Sequence, residues 1–518
     1  MKRRWCVLSG LIVAAAAAAA PLPAQEPSRA AEAVRYTLAD CLRIALQNNL
    51  DLVTARKDPE IAERRIELQD ARFDGAIAAS ATYTEGSEDS TIVDNTGAVG
   101  PSDGTADSDA LNAEVSWAQS LEYGASYSAT LNASDSSSSS REVNQFVGIF
   151  QDSSVDRNGQ FVTLHYEMPL LQGFGREVNT VEVLLARSGL DISRQELRLG
   201  ATRTMKEVED AYWNLLAARE AVRVARESLK LAQDLLDLNK KKVEVGTLAP
   251  IEITQAEAGV ASREEGAIVA ETTVQNAEDN LRRLLAIPKD DPAWSREIVP
   301  TDRPQFEKQP ADEGAALAAA MEHRPEMATA RQQLKDSELS ERVAGNQTRH
   351  SLRFLADLTP GVGEDRLVFT PPGSDTTTDS DGLQWSVGLT YGFPVGNRQA
   401  KSNFAIATLN REKSELNLQN TEQTIRVDVR TAVRNVESGS KRVDAARSNT
   451  TLQRKTVEAE QKKFENGMST SFEVLRIQTD LSTAQLAEIR AILDYNKALA
   501  DLERARGTLL EARGLRLE

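Results

Sequence analysis

Apolar residues along the chain change their spacing from a helical to a strand-like period and back, and the same succession then occurs a second time. Over residues 177–243 a seven-residue column holds Ala201, Val208, Leu215, Val222, Leu229, Leu236 and Val243. A second column, three residues further on, holds Ala211, Ala218, Ala225 and Ala232. Large residues at one seam position and alanine at the other predict a heptad helix whose backbone approaches a neighbour closely. Adding 221 to each number gives Glu422, Val429, Val436, Val443, Thr450, Val457 and Phe464, with Ala432, Gly439, Ala446 and Gln453 beside them. The seam survives with looser chemistry. A helix of this length, at about 1.5 Å per residue, is a rod of roughly 100 Å, several bilayer thicknesses.

Before each rod the period drops to two. Leu111, Ala113, Val115 and Trp117 alternate with Asn112, Glu114 and Ser116, and Tyr123, Ala125, Tyr127, Ala129 and Leu131 alternate with Gly124, Ser126, Ser128 and Thr130. Val162, Leu164, Tyr166 and Met168 follow the same rule, and the cleanest example is Leu383, Trp385, Val387, Leu389, Tyr391 and Phe393. These are strands with one apolar and one small polar face. The Ser- and Asp-rich stretches 85–109 and 133–160, including Ser136 to Ser140, are expected to be solvated loops, as is 359–381 with Pro371-Pro372. Both halves leave the strands through proline and glycine, at Pro169 to Arg176 and Pro394 to Arg398.

The expected organisation follows. Residues 1–24 form a signal peptide and 25–36 a flexible leader. The first repeat, 37–287, carries a helix capped by Thr37 with Asp40 at the capping-box distance, strands within 75–168, a long helix 177–244 and a return helix 251–287. A proline-rich crossover, 288–310, leads to the second repeat, 311–518, with a helix, strands within 352–393, a long helix 399–465, a return helix 472–507 and a C-terminal tail. Glycine closes each long helix, at Val245-Gly246-Thr247-Leu248-Ala249-Pro250-Ile251-Glu252 and, 221 residues later, at Asn466-Gly467-Met468-Ser469-Thr470-Ser471-Phe472-Glu473.

Composition changes this picture in three ways. Lys2-Arg3-Arg4, the apolar run 7–20 and Leu22-Pro23-Ala24 have the order of a secretory signal cleaved after Ala24. Losing Lys2, Arg3 and Arg4 takes the net charge from -17 to -20, an acidity that argues against nucleic acid as a partner and predicts a cation-preferring interior. Beyond the signal no run of 18 apolar residues exists, so an exported chain that enters a membrane does so as a closed β-barrel. Cys41 is the one cysteine left after cleavage, so no intrachain disulfide forms.

No catalytic chemistry is assigned. His165, His323 and His350 lack metal-ligand spacing, no nucleotide loop or nucleophile elbow occurs, and Gly173-Phe174-Gly175 is a turn without a third glycine. No catalytic residue, metal or cofactor site is expected.

Signal, helix, strands, proline-glycine exit, long heptad helix and glycine-marked hairpin, all repeated, resemble the TolC-type outer-membrane efflux proteins from Thr37 to about Gly507. The resemblance implies an α+β membrane protein: a homotrimeric β-barrel in the outer membrane, continued by a long α-helical barrel across the periplasm of a Gram-negative envelope. It implies a passive channel of a tripartite efflux or type I secretion system, with a periplasmic adaptor and an inner-membrane pump as partners. The hairpin tips, Gly246, Thr247, Leu248, Gly467, Met468 and Ser469, would dock the adaptor, and Glu252, Glu473 and Arg476 would form a periplasmic constriction. The family's tyrosine and arginine locking positions are held here by Phe464 and Ser469, and its second acidic position by Arg476, so Glu473 and Arg476 of neighbouring subunits are expected to pair instead. The family pattern gives four strands per subunit. The offset between the halves is 275 before the strands and 221 after them, so the first half holds 54 extra residues, room for an added hairpin around Tyr123 to Leu131; four strands remain the expectation. A surface stalk or adhesin, with heptad rod and β anchor, is the alternative, but it needs neither two marked hairpins nor a hollow wall.

Overall fold

The computed structural model describes residues 33–91, 103–144, 149–303, 306–370 and 375–516; the signal peptide, residues 25–32 of the leader and Pro371-Pro372 lie outside them. A short strand β1 (Val34–Tyr36) precedes three helices, α1 (Leu38–Asn48), α2 (Leu50–Ala55) and α3 (Lys57–Asp70). Strands β2 (Ala76–Thr91), β3 (Asp103–Ser120), β4 (Ser126–Asn144) and β5 (Ile149–Pro169) follow, then α4 (Arg176–Asn179), the rod α5 (Val181–Glu244) and the return helix α6 (Ile251–Leu285). The crossover carries α7 (Pro292–Ser295) and β6 (Ile298–Pro300). The second half comprises α8 (Glu313–His323), α9 (Pro325–Gln347), β7 (Ser351–Thr370), β8 (Thr376–Asp379), β9 (Gly382–Gly392), the rod α10 (Arg398–Glu465), α11 (Ser471–Arg506) and α12 (Leu509–Ala512).

Three expectations need correction. The leader is not wholly flexible, because Val34 to Tyr36 pair in parallel with Ile298 to Pro300 of the crossover. The stretches assigned to loops are mostly strand: β2 to β5 and β7 run for 16 to 21 residues, and Ser136 to Ser140 pair on both sides, with Ala106 to Ala110 and with Ser153 to Arg157. Composition gave no hint, since ladder bonds from two neighbours outweigh weak local propensity. Finally, among the described residues the sheet holds six long strands rather than four, in the order β2-β3-β4-β5-β7-β9, with β8 continuing the β9 edge beside β7.

One face of this sheet is apolar from edge to edge. A single row crosses all six strands through Ile77, Trp117, Ala129, Leu164, Leu358 and Trp385. Ile77 and Trp385 remain 78% and 69% exposed, an unpartnered apolar surface that suits lipid. The opposite face is polar: Ser128, His165, Asp357 and Ser386 form one row, with His165 Nδ1 2.6 Å from Asp357 and Ser386 Oγ donating to Asp357 at 2.9 Å. Above the apolar belt the same face turns polar across β3 and β4, where Asp107 and Asp109 pair with Ser139 and Ser137. A bilayer needs about 9–11 residues per strand, so these strands rise well beyond it.

Below the sheet, helices lie side by side rather than around a globular core. Neighbouring pairs are α6 with α5, α5 with α11 and α11 with α10; nearer the sheet, α3, α5, α9 and α10 follow each other in the same way. The sequence-level seam is best kept where it looked weakest. In α10, Val429, Val436, Val443, Thr450, Val457 and Phe464 are all buried, whereas in α5 burial shifts after Leu215 to Val224, Ser228, Leu235 and Asn239. A straight helix drifts about 20° per heptad, enough to turn the contact stripe along so long a rod.

Two clusters brace the middle, each around a fully buried tyrosine tied to the crossover. Tyr212 donates to Asp302 at 2.7 Å, and Asp302 also accepts from the Leu38 amide opening α1, next to the Thr37–Asp40 capping box. Tyr495 donates to the Glu307 carbonyl at 2.8 Å and accepts from the Gln309 amide. Burial pushes the Cys41 thiol in the first cluster up to about 12.

Candidate conduit wall and hairpin tips

A wall made by one chain has two open sides, and they coincide in both layers. The sheet ends at β2 and β9. β2 is fed by α3 and β9 leads into α10, and the helix layer ends at α3 with α6 on one side and at α10 on the other. Each side keeps large apolar residues in solvent: Ile61, Leu68 and Ile268 on the first, Ile406, Leu409 and Leu416 on the second. Such residues at matching flanks suit a neighbour presenting the other flank.

At the far end from the sheet the two rods close as near-identical caps. Gly246 and Gly467 take φ of 73° and 75°, a left-handed turn that glycine adopts without a Cβ clash. Thr247 N–H donates to the Lys242 carbonyl and Met468 N–H to that of Lys463, satisfying carbonyls the helix leaves open. Gly246, Thr247, Gly467 and Met468 are exposed, while Leu248 and Ser469 are half-buried. Apolar groups flank both turns in solvent, with Val245 72%, Met468 71% and Phe472 63% exposed.

The tips are bound to one another by polar side chains that the heptad pattern does not single out. Asn239, fully buried, donates from Nδ2 to Ser471 Oγ at 2.8 Å and to the Glu252 carbonyl at 3.2 Å. Lys242 Nζ donates to the Phe464 carbonyl at 2.8 Å. Leu235, Phe464 and Val474 pack beneath. Arg263 reaches from α6 to the Leu475 carbonyl and Thr479 Oγ1, both at 2.9 Å. Buried donors and interhelix packing of this kind make the two hairpins one unit.

Of the three residues expected at a constriction, Glu473 and Arg476 come together and Glu252 stands apart. Arg476 forms a two-point ion pair with Glu473 one turn away on its own helix. The guanidinium's hydrogen bond holds the Glu473 carboxyl below the usual glutamate range. Glu252 is half-buried on α6, and its Oε2 has no partner within the described residues. A third carboxylate, Glu460, accepts from Ser469 at 2.5 Å and Lys463 at 3.0 Å, and those two bonds keep it low as well. The turn sequence marked Ser469 but not its partner nine residues back, a distance no helical period couples.

The described residues include no group of three or more His, Cys, Asp or Glu able to hold a metal, and no helix long and apolar enough to cross a membrane. Residues 120–286 and 316–508 match the family model described as outer membrane efflux protein. The pyoverdine export outer membrane protein OpmQ of Pseudomonas aeruginosa is 23% identical over 362 residues, 68% of this chain and 70% of that protein. The Campylobacter jejuni CmeC outer membrane channel superposes with a TM-score of 0.61 at 16% identity, covering 91% of this chain and 86% of CmeC. The Neisseria gonorrhoeae MtrE outer membrane channel, in its open state, gives 0.58 at 18%, covering 91% and 89%.

Proposed function

We infer the working assembly from the premise that this chain belongs to the outer membrane efflux protein family: it is an outer-membrane channel of a tripartite efflux system, not an enzyme. Among the described residues one chain closes no barrel, since its sheet and its helix layer both end at open flanks. We propose that three copies close both layers at once, β9 and α10 of one meeting β2, α3 and α6 of the next. The observation that carries this is the coincidence of the open flanks. One cyclic head-to-tail contact then satisfies the strand edges, which cannot stay unpaired in hydrocarbon, and buries Leu409, Leu416, Ile61 and Leu68.

In that ring the belt of Trp117, Leu164 and Trp385 faces lipid, and the row of Ser128, His165 and Asp357 faces water. The helical tube stands in the periplasm with the tips furthest from the membrane. Gly246, Thr247, Leu248, Gly467, Met468 and Ser469 dock a periplasmic adaptor, through which an inner-membrane pump supplies the energy; the exposed Val245, Met468 and Phe472 support a partly apolar contact. Glu252, Glu473 and Arg476 narrow the tip, the Glu473–Arg476 pairs of the three chains forming a charged ring about the axis. Native mass spectrometry of the detergent-extracted protein tests the assembly: a mass of three chains is expected, and a stable single chain contradicts it.

A further inference from the structure

The sheet has two strands more than the family pattern provides. Resting on the three-copy reading above, we propose that all six strands of each chain line the barrel. Three sixes make an eighteen-stranded wall, closed by a β2–β9 seam between neighbouring copies.

The added hairpin β3–β4 is central to the sheet, not appended to it. β3 is bonded along its length to β2 on one side and β4 on the other, and β4 likewise to β3 and β5. The lipid-facing row runs through it without a break, as Trp117 and Ala129 sit between Ile77 and Leu164. Were the hairpin outside the barrel, β2 would have to pair with β5 directly, and Trp117 and Ala129 would leave that row.

Its inner turn is also fitted to the exit of β5. The Gly175 N–H donates to the Tyr123 carbonyl at 3.2 Å, and Arg176 pairs with Glu122 at 2.7 Å. Asn179 Nδ2 donates to the Gly173 and Gly175 carbonyls at 2.8 Å each, shaping the ledge on which the turn rests. Gly124, at φ 93°, lies so close that a Cβ there would come within 2.7 Å of the Gly173 carbonyl and of Asn179. A hairpin with no helix beneath it thereby stands on the strand-to-helix passage, where six strands per chain give way to four helices side by side.

The two free edges suit each other. β2 and β9 run in opposite directions, so their pairing continues the antiparallel alternation, and the apolar belt reaches both edges, at Ile77 and Tyr83 and at Trp385 and Leu389. Barrel diameter grows roughly linearly with strand number, so the mouth would be about one and a half times as wide as a twelve-stranded one. Barrels of that strand number leave an aqueous channel, so the outer-membrane section is a wide vestibule and the narrowing lies at the helical tips.

Paired cysteines on the polar face test the seam in the full-length protein, where Cys41 is buried and inert. Thr82→Cys on β2 is combined in turn with Gln384→Cys, Ser386→Cys or Gly388→Cys on β9, and separately with Thr163→Cys on β5. At least one β2–β9 pair is expected to give chain-to-chain disulfides in most of the protein, and the Thr82–Thr163 pair none, because two strands separate them at about 4.8 Å per step. A Thr82–Thr163 link within one chain, with no β2–β9 link, would overturn the proposal. Cryo-electron microscopy of the protein in nanodiscs reads copies and strands separately. Six strands per chain support the inference whatever the copy number, four per chain overturn it, and a copy number other than three overturns only the trimer.

Discussion

Lys242 and Phe464, from opposite repeats, meet at the tip: the ammonium nitrogen lies 2.8 Å from the Phe464 carbonyl oxygen and 4.3 Å from the centre of its ring. The carbonyl lies in the last turn of α10, where the helix dipole favours a cation, and it also accepts from the Gly467 N–H at 3.1 Å. Replacing Lys242 by methionine keeps the stem and removes the charge, at a cost of about 0.3–1 kcal/mol. Hydrogen exchange of the amides in 464–470 is expected to accelerate by roughly two- to fivefold on that cost, while amides in the middle of α10 stay unchanged.

Asn239 has the larger role. Its buried amide donates to Ser471 and to the Glu252 carbonyl, so Asn239→Ala removes the donor from both acceptors and costs about 1–3 kcal/mol. The expected readout is faster protease cleavage at both hairpins together, since one side chain joins them. Cleavage confined to one hairpin would show that the tips are independent.

The tip carboxylates give it a pH dependence of defined sign. Hydrogen bonds hold Glu460 and Glu473 below the ordinary glutamate value of 4.5, so their stabilisation is complete above that value and lost as pH falls through the lowered values. Protection of the 464–476 amides, relative to their intrinsic exchange rates at each pH, is expected to be flat from neutral pH down to about 4.5 and to fall below it. Glu460→Gln with Glu473→Gln should abolish the fall.

Gly439 on α10 faces Tyr495 on α11, and a Cβ there would sit 3.4 Å from the ring. Gly439→Ala should be tolerated, with helix propensity offsetting the tight contact. Gly439→Leu overpacks the junction, at about 1–3 kcal/mol, and is expected to lower the thermal inactivation temperature of the protein.

The repeat and the rods were legible because a heptad column over 67 positions is a long-range signal that local chemistry cannot blur. So were the hairpins, marked by Gly246 and Gly467 at equal places in both halves. The upper strands were not, because Ser136 to Ser140 carry no alternation and owe their extended form to partners on both sides. Nor were the contacts joining the halves. An offset of 221 identifies Lys242 and Lys463 as counterparts, yet it is Phe464, one residue on, that Lys242 touches. Internal repetition reveals what is alike, whereas the tip is held by what lies opposite. The pair expected between neighbouring subunits shows the same limit, since Arg476 finds Glu473 within its own helix.

Single-channel recording in planar bilayers tests the central claim, a water-filled tube built from tandem hairpin units, most directly. The account predicts steady ohmic channels, a preference for cations in a salt gradient, and a higher conductance in Glu473→Ala and Arg476→Ala proteins, where the tip is relieved of its charged pair. Unchanged conductance in those two variants would remove the constriction. A trimer that inserts but carries no current would contradict the conduit itself and leave a solid stalk.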